Sequence, residues 1–332
     1  MSTAAAPRVA AVIPHWNRRD LLAPLFESLH AQTRPFDEIL LADNGSTDDS
    51  AGVAERAGVR VLRLGQNLGF AAAVNRGIET VEADWVAILN NDVTLAPDWL
   101  ERLLHGVARE GAGFATGKIL NAADPSLIDG TFDELSRGAC ADRCGSGKPD
   151  GPLWNEPRRI FFAPMTAALF RRELFMGLGG LDESFGSYME DAEFGLRCAL
   201  SGQDGIYVPE AVAYHLGSAT LGAWNKTTVW RISRNQALLA AKHWHLQPRW
   251  PIVAGQLLWG LVALRHARGC AWLLGKLAGL RAARELQRVT VSEEKTNRLA
   301  AVLSASEESI LALARRSTFD GYWRAYFWLS RR

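Results

Sequence analysis

An α/β protein with a mostly parallel sheet, followed by a helical extension, is what this sequence predicts, and three observations carry the prediction. Short apolar runs alternate with helical patterns through roughly the first hundred residues, and polar or acidic residues recur just after the apolar runs. Beyond Trp230 the composition turns basic, tryptophan-rich and helical.

The elements follow in order. Arg8–Pro14 reads as a strand, Arg18–Gln32 as a helix that Pro24 kinks or delays, Glu38–Ala42 as a strand and Asp48–Ala57 as a helix. Val59–Leu64, Phe70–Val81 and Trp85–Leu89 continue the alternation as strand, helix and strand. Asp98–Arg109 is a further helix, with Pro97 near its start, and Gly111–Gly117 a short strand. From Ile119 to Glu156 the chain is rich in Gly, Asp, Ser and Pro, the composition of a long surface loop. Regular structure resumes at Ile160–Phe170, with helices from Arg172 and over Met189–Ser201 and a strand at Gly205–Pro209. After Trp224 the pattern is helical to the end, interrupted near Pro248–Pro251 and at Gly269.

At 332 residues the chain accommodates one nucleotide-binding domain, residues 1–230, and an extension, residues 231–332. Hydrophobic residues at 48% and charged residues at 22% exclude a disordered or fibrous protein. The net charge of +1 conceals a split. Residues 1–230 carry 20 Lys/Arg against 30 Asp/Glu, net −10; residues 231–332 carry 17 against 6, net +11. Seven of the twelve tryptophans lie in or next to the basic part, which suits a membrane surface or a phosphate-bearing substrate. Nucleic acid is disfavoured, because no nucleic-acid module accompanies the charge.

Cys140, Cys144, Cys198 and Cys270 are scattered, and no second Cys/His pair at zinc spacing joins the first two. Free thiols and the absence of a basic, apolar leader in Met1–Pro7 predict a cytoplasmic protein. The apolar stretch Pro251–Leu264 has 14 residues, short of the ~18–20 that cross a bilayer. It is expected to lie on a membrane rather than span one.

In open parallel sheets ligands bind beyond the carboxyl ends of the strands, so the residues after each apolar run are the candidates. They are Pro14-His15-Trp16-Asn17, Asp43 to Asp48, and Asn90-Asn91-Asp92. No GxGxxG follows the first strand and no Walker A lysine loop exists, so a phosphate must be held another way. A Mg²⁺ or Mn²⁺ ion on Asp92 is one way; an ordinary Asx turn explains the same residues. Asp43 can bond a base or ribose, while Ser46 to Asp48 read equally as a turn and helix cap. Asn67, Gly69, Phe70 and Asn75 lie where small residues open a helix and let backbone approach a ligand, although tight packing on the sheet favours the same alanines. Glu190 and Asp191 open another helix. Ser187 with Glu190 matches a capping box, which leaves Asp191 unexplained and suited to act as a base. His215, after Val212-Ala213-Tyr214, is either structural or the completion of a metal site begun by Asp92.

In their order and spacing, Val12–Asn17, Leu41–Ser50, Asn67–Gly77, Leu89–Asp92, Gly179–Arg197 and Tyr214–Ser218 resemble glycosyltransferase family 2, from about Val9 to His215, with an echo at Arg234-Asn235. The resemblance implies the GT-A fold, a Rossmann-like α/β domain. It implies that Asp43 contacts base or ribose in a pocket shaped by Pro14, Trp16 and Asn17, with Asn67, Gly69, Phe70, Asn75, Asn90 and Asn91 around the donor. Asp92 and His215 would hold a divalent Mg²⁺ or Mn²⁺ on the donor diphosphate, and Asp191, beside Glu190, would deprotonate the acceptor. One departure is Asn90, where the family often has a carboxylate. The implied activity is inverting transfer from a nucleotide-sugar donor, dTDP- or UDP-linked with dTDP-rhamnose the first expectation, to a glycan or lipid-linked acceptor, as in rhamnosyltransferases of cell-surface polysaccharides. The competing expectation is a non-catalytic relative that binds a sugar nucleotide as a partner module.

Overall fold

The computed structural model of the chain describes residues 6–217, 224–244, 247–285 and 292–330. Its first half runs β1 (Val9–His15), α1 (Leu22–His30), β2 (Glu38–Asp43), α2 (Ser50–Arg56), β3 (Arg60–Arg63), α3 (Phe70–Thr80), β4 (Trp85–Leu89), β5 (Val93–Leu95), α4 (Trp99–Glu110) and β6 (Phe114–Asn121). Then come β7 (Ile128–Gly130), β8 (Asp133–Leu135), β9 (Ala141–Arg143), β10 (Arg158–Ile160), β11 (Ala167–Arg171), α5 (Arg172–Gly177), α6 (Glu190–Leu200) and β12 (Gly205–His215). Five helices follow: α7 (Lys226–His243), α8 (Arg249–Arg265), α9 (Gly269–Ala282), α10 (Glu293–Arg316) and α11 (Gly321–Ser330).

The main sheet has the order β10-β12-β6-β11-β4-β1-β2-β3, with β5 joined to β12 and β7 to β6. Strands β1 to β4 run parallel. β11 is antiparallel to both β4 and β6, and β12 is parallel to β6. The carboxyl ends of β1, β2, β4, β6 and β12 therefore share one edge, which collects the residues that follow them. In β1, Val9, Ala11 and Ile13 face the layer of α1 and α4, while Ala10 and Val12 face the layer of α3, α5 and α6. Burial of both faces is what its unbroken apolar run requires. The alanines of α3 are buried, and a side chain at Gly77 would meet Val12 at 2.5 Å, so close packing on β1 accounts for the small residues there.

Four expectations need correction. α1 begins at Leu22, after a 3₁₀ turn at Arg19–Leu21, which puts Pro24 in the first turn, where its missing N–H costs nothing. The last strand does not stop at Pro209 but bulges there and runs on to His215. Gly117 permits the bulge, because a Cβ there would lie 1.8 Å from the Ala211 carbonyl oxygen. The third correction is the largest: Ile119–Glu156 is not a surface loop. It contains the end of β6 and all of β7, β8 and β9, and Thr131–Ser136 is buried throughout. The Gly and Asp content that suggests a loop serves tight turns between short strands, covered by the C-terminal helices. Leu135 N–H donates to Ser306 Oγ at 2.7 Å and Arg137 N–H to Glu307 Oε1 at 2.8 Å. The fourth is the capping box. The residue capping α6 is Met189, with no side-chain cap, and Glu190 Oε2 is buried without a partner.

α7 begins at Lys226, just before the expected domain boundary. Among the described residues no helix is long and apolar enough to cross a membrane.

Candidate active site

The tips of β1 and β2 are tied together before they can present anything to a ligand. Asn17 N–H donates to Ser46 Oγ at 2.8 Å, and Thr47 N–H donates back to Asn17 Oδ1 at 2.9 Å. Asn17 adopts φ 56° to do this, a left-handed conformation that asparagine tolerates better than most residues. Asp43 is buried at the end of β2, and its Oδ1 accepts the Ser46 N–H, three residues on, at 3.1 Å, which closes the turn beyond the strand. Beside it Asn44 accepts the Leu68 N–H at 2.8 Å and donates to the Gly69 carbonyl at 3.0 Å, which fixes the Asn67–Gly69 turn against the strand tips. Gly69 has φ 92°, and a Cβ there would lie 3.2 Å from the Gly186 carbonyl oxygen. Trp16 stands 45% exposed over this edge, a large ring with an open face.

His15 links β1 to β4. Its Nδ1 accepts from Asn91 Nδ2 at 2.9 Å and its Nε2 donates to Ser50 Oγ at 2.8 Å, which in turn donates to Asp48. Burial lowers its pKa to about 4 against the pull of Asp48, so it stays neutral and serves as a brace.

Backbone pairing brings Asp92 to His215. β5 runs antiparallel to β12 with Val93 opposite His215, and Leu216 N–H donates to the Asp92 carbonyl at 3.0 Å. His215 Nε2 lies 3.1 Å from Asp92 Oδ1, and its Nδ1 lies 2.9 Å from Asp129 Oδ2 on β7. Burial works against a charged ring, but the two carboxylates outweigh it and hold His215 at about 9. Once Nε2 gives up its proton, Nδ1–H on Asp129 fixes the tautomer and the Nε2 lone pair converges with Asp92 Oδ1. Among the described residues no cluster of three or more His, Cys, Asp or Glu is arranged to hold an ion. One carboxylate, one imidazole and an orienting carboxylate behind it nonetheless fit a cation that takes its other ligands from phosphate and water.

Arg143 connects this group to Asp191. Its guanidinium lies 3.5 Å from Asp129 and 3.7 Å from Asp133, and its charge also acts on Asp191. Burial raises the pKa of Asp191 while Arg143 opposes the rise. Glu190 is raised by burial and then by the charge of Asp191, so neighbouring carboxyls with like charge share an apolar setting. The turn before them is strained: Tyr188 and Met189 have φ 73° and 70°. Asn235 of α7 secures it, its amide lying 2.8, 3.0 and 2.8 Å from the carbonyl oxygens of Phe185, Ser187 and Tyr188.

Pro14, Trp16, Asn17, Asp43, Asn67, Gly69, Phe70, Asn90, Asn91, Asp92 and His215 thus lie at or beside the carboxyl edge, with Asp191 in the field of Arg143 and Glu190 adjoining it in the chain. Asn75 does not face it: its amide exchanges hydrogen bonds with Leu181 at 2.9 and 2.8 Å and clamps α3 to the turn before α6. Ser218, the end of the last matching segment, lies outside the described residues. Asp129 and Arg143 escaped the sequence reading, because they lie in the stretch that composition assigns to a loop; Asn44 stood in the Asp43–Asp48 segment but was given no role there.

Solved structures share this architecture. A mannosyltransferase from Pyrobaculum calidifontis, in complex with GDP-Man and Mn²⁺, superposes with a TM-score of 0.54 at 19% identity, over 96% of this chain and 86% of that one. GalNAc-T7, with UDP, GalNAc and Mn²⁺, gives 0.65 at 16% identity over 94% and 58%. The fold is therefore that of the GT-A class. The profile of Glycosyl transferase family 2 matches residues 10–179. N-acetylglucosaminyl-diphospho-decaprenol L-rhamnosyltransferase of Mycobacterium tuberculosis is 32% identical over 67% of this chain and 81% of its own length. O-antigen biosynthesis protein RfbC of Myxococcus xanthus is 28% identical over 64% of this chain, though only 18% of its own. The chain belongs to glycosyl transferase family 2.

Proposed function

We propose that the protein transfers a sugar, with inversion, from a nucleoside diphosphate donor to a hydroxyl of a glycan or lipid-linked acceptor. The observation that carries the reading is His215 set between Asp92 and Asp129, with Arg143, 3.5 Å from Asp129, also acting on Asp191 by its charge. The likeness to a rhamnosyltransferase of a decaprenol-linked acceptor favours dTDP-rhamnose as donor and a polyprenyl-diphosphate-linked sugar as acceptor.

Trp16, Asp43 and Asn17 hold the nucleoside at the tips of β1 and β2, where Trp16 offers a stacking face. Asn67, Gly69, Phe70, Asn90 and Asn91 line the donor, and Asn75 braces α3 behind them. Asp92 and His215 would hold a Mg²⁺ or Mn²⁺ ion, which would neutralise the charge gathering on the departing diphosphate. Asp191 accepts the proton of the acceptor hydroxyl as its oxygen bonds to the anomeric carbon. The bond from that carbon to the diphosphate oxygen breaks on the opposite face, and its electron pair leaves with the nucleoside diphosphate. The raised pKa of Asp191 strengthens it as a base, and a proton held on Glu190 relieves the repulsion between them.

Two substitutions test the reading. Asp92→Ala should abolish turnover and the gain in donor binding that Mn²⁺ brings, read by thermal shift across dTDP-, UDP- and GDP-sugars. Asp191→Asn should keep donor binding and lower turnover by about 10²–10⁴-fold. Full turnover in either variant refutes the assignment.

A further inference from the structure

We infer that the α8–α9 hairpin is an in-plane membrane anchor whose apolar face enters an anionic lipid surface. The inference extends the reading of a lipid-linked acceptor, but it rests on the C-terminal helices alone.

Their sequence is apolar on all sides. From Trp250 to Leu264 no charged residue occurs, and within Cys270–Leu280 there is only Lys276. Helices of this kind belong in a core or in lipid. Here they are half in a core. Gly275 and Gly279 let α9 press on α7, since a Cβ at either would lie 2.4 or 2.3 Å from the carbonyl oxygens of Trp230 and Arg234. Lys276 turns inward as well, donating to the Ser233 carbonyl at 2.9 Å and to Gln236 Oε1 at 2.8 Å. About half a turn away from the glycines, Leu273, Leu277 and Leu280 point outward with Leu274 beside them.

On α8 the outward stripe is Val253, Leu257, Leu261 and Leu264, and these eight side chains are between 44% and 60% exposed. The two stripes belong to one antiparallel hairpin, because Gly260 touches Trp272 and Gln256 receives a hydrogen bond from Lys276, each pair centred on the same turn. Single exposed apolar residues are ordinary; eight on paired helices, with only the inward-turned Lys276 charged among them within the helices' apolar runs, are not.

Charge selects the occupant. Arg249 and Arg265 continue the i, i+4 ladder of Val253, Leu257 and Leu261 at its two ends, and Arg281 and Arg284 extend the α9 stripe. All four are exposed. A bilayer with anionic headgroups meets both requirements, apolar chains for the stripe and phosphates for the arginines at its borders. The helices lie flat, since α8 is about 25 Å long and no described helix qualifies to span. α7 joins this face to the turn before Asp191, because Asn235 grips the Phe185–Tyr188 carbonyls from the helix on which α9 packs. Anchoring would thus present the acceptor side of the site to the lipid surface.

Flotation of the full chain with phosphatidylcholine–phosphatidylglycerol vesicles tests the inference without donor or acceptor. The protein should float at low salt and progressively less as salt rises. Leu257→Glu and Leu277→Glu, both at exposed positions, should each lower partitioning about tenfold or more while leaving the melting temperature and the donor-induced thermal shift unchanged. Absence of the wild-type chain from the vesicle fraction at low salt overturns the inference, as does equal flotation of the variants. A concentration-dependent dimer that the same substitutions dissolve, with no vesicle binding, overturns it in favour of a second copy of the chain. Loss of turnover by Asp92→Ala with flotation intact would separate the anchor from the enzymatic reading.

Discussion

Replacing Glu193 by glutamine should weaken the attachment of the C-terminal helices by an amount that depends on pH. Glu193 lies on α6, two residues after Asp191, with no exposed side-chain surface. It receives Arg197 at 2.8 Å, Lys242 at 2.5 Å and His243 at 3.0 Å, the last two from the end of α7. Burial alone would raise its pKa, but the hydrogen bond from His243 and the charges of Arg197 and Lys242 prevail and bring it from 4.5 to about 2. That difference corresponds to about 3 kcal/mol of stability, in line with the ~3–5 kcal/mol lost when a buried pair loses one partner. A folded pKa below the unfolded one means that the folded state resists protonation. The contribution is therefore whole above about 4.5 and disappears as the pH falls towards 2. Urea unfolding followed by tryptophan fluorescence is a suitable assay, because buried Trp244 packs edge-on against His243. The expected result is a deficit of about 3 kcal/mol in Glu193→Gln at neutral pH, shrinking through the acid window. His15, neutral and held at about 4 against 6.5, destabilises the fold as the pH falls between those values, but equally in both proteins. A neutral-pH deficit under about 1 kcal/mol, or one that does not shrink on acidification, refutes the reasoning.

Three other outcomes are expected. Asp129→Asn leaves His215 without its orienting carboxylate and should weaken Mn²⁺-dependent donor binding by about 10–100-fold, measured by titration calorimetry; unchanged Mn²⁺ affinity would show that Asp129 does not orient the ring. Asn235→Ala strips three carbonyls of their donor beside the strained Tyr188–Met189 turn, at about 1–3 kcal/mol, and should lower kcat more than donor affinity, whereas equal losses in both would point to general misfolding. Gly69→Val forces a branched side chain on a left-handed residue packed on Gly186 and should reduce both melting temperature and donor binding; wild-type binding would mean that the two turns need not touch.

The parts of the fold that were legible in the sequence are those in which local pattern and tertiary role agree. β1, β2, β4, α3 and α4 fall within a residue or two of expectation, because a strand buried on both faces is a continuous apolar run and α4 has one apolar face. The strand tips followed from that, and with them Asp43 and Asp92, whereas His215 was marked by the short apolar run Val212–Tyr214 although its strand was expected to end at Pro209. What was not legible depends on partners far away. Thr131–Ser136 has loop composition, yet it is buried under α10, where Ser306 and Glu307, some 170 residues onward, take the N–H groups of Leu135 and the adjoining Arg137. No local window registers such a partner, so Asp129 and Arg143 were hidden with the segment. The Ser187–Glu190 pair failed for the same reason: Asn235 takes the Phe185–Tyr188 carbonyls and imposes a left-handed entry to α6 that no capping box has.

These distant partners bear on how the extension should be regarded. A tail appended to a finished α/β domain would leave the domain's polar groups satisfied without it. Here α10 supplies the partners of Leu135 and Arg137, and Trp323 of α11 donates to Asp142 beside Arg143. α7 supplies the donor to the turn before Asp191 and two of the side chains that bond Glu193, Lys242 and His243. Removing residues after Trp230 would therefore strand buried donors and acceptors around the residues argued to handle the acceptor sugar, while leaving the β1–β2 edge, where the nucleoside is argued to sit, with its own bonds intact. Such a truncation should lose acceptor-side function well before donor-side binding, an asymmetry that a merely attached tail would not produce.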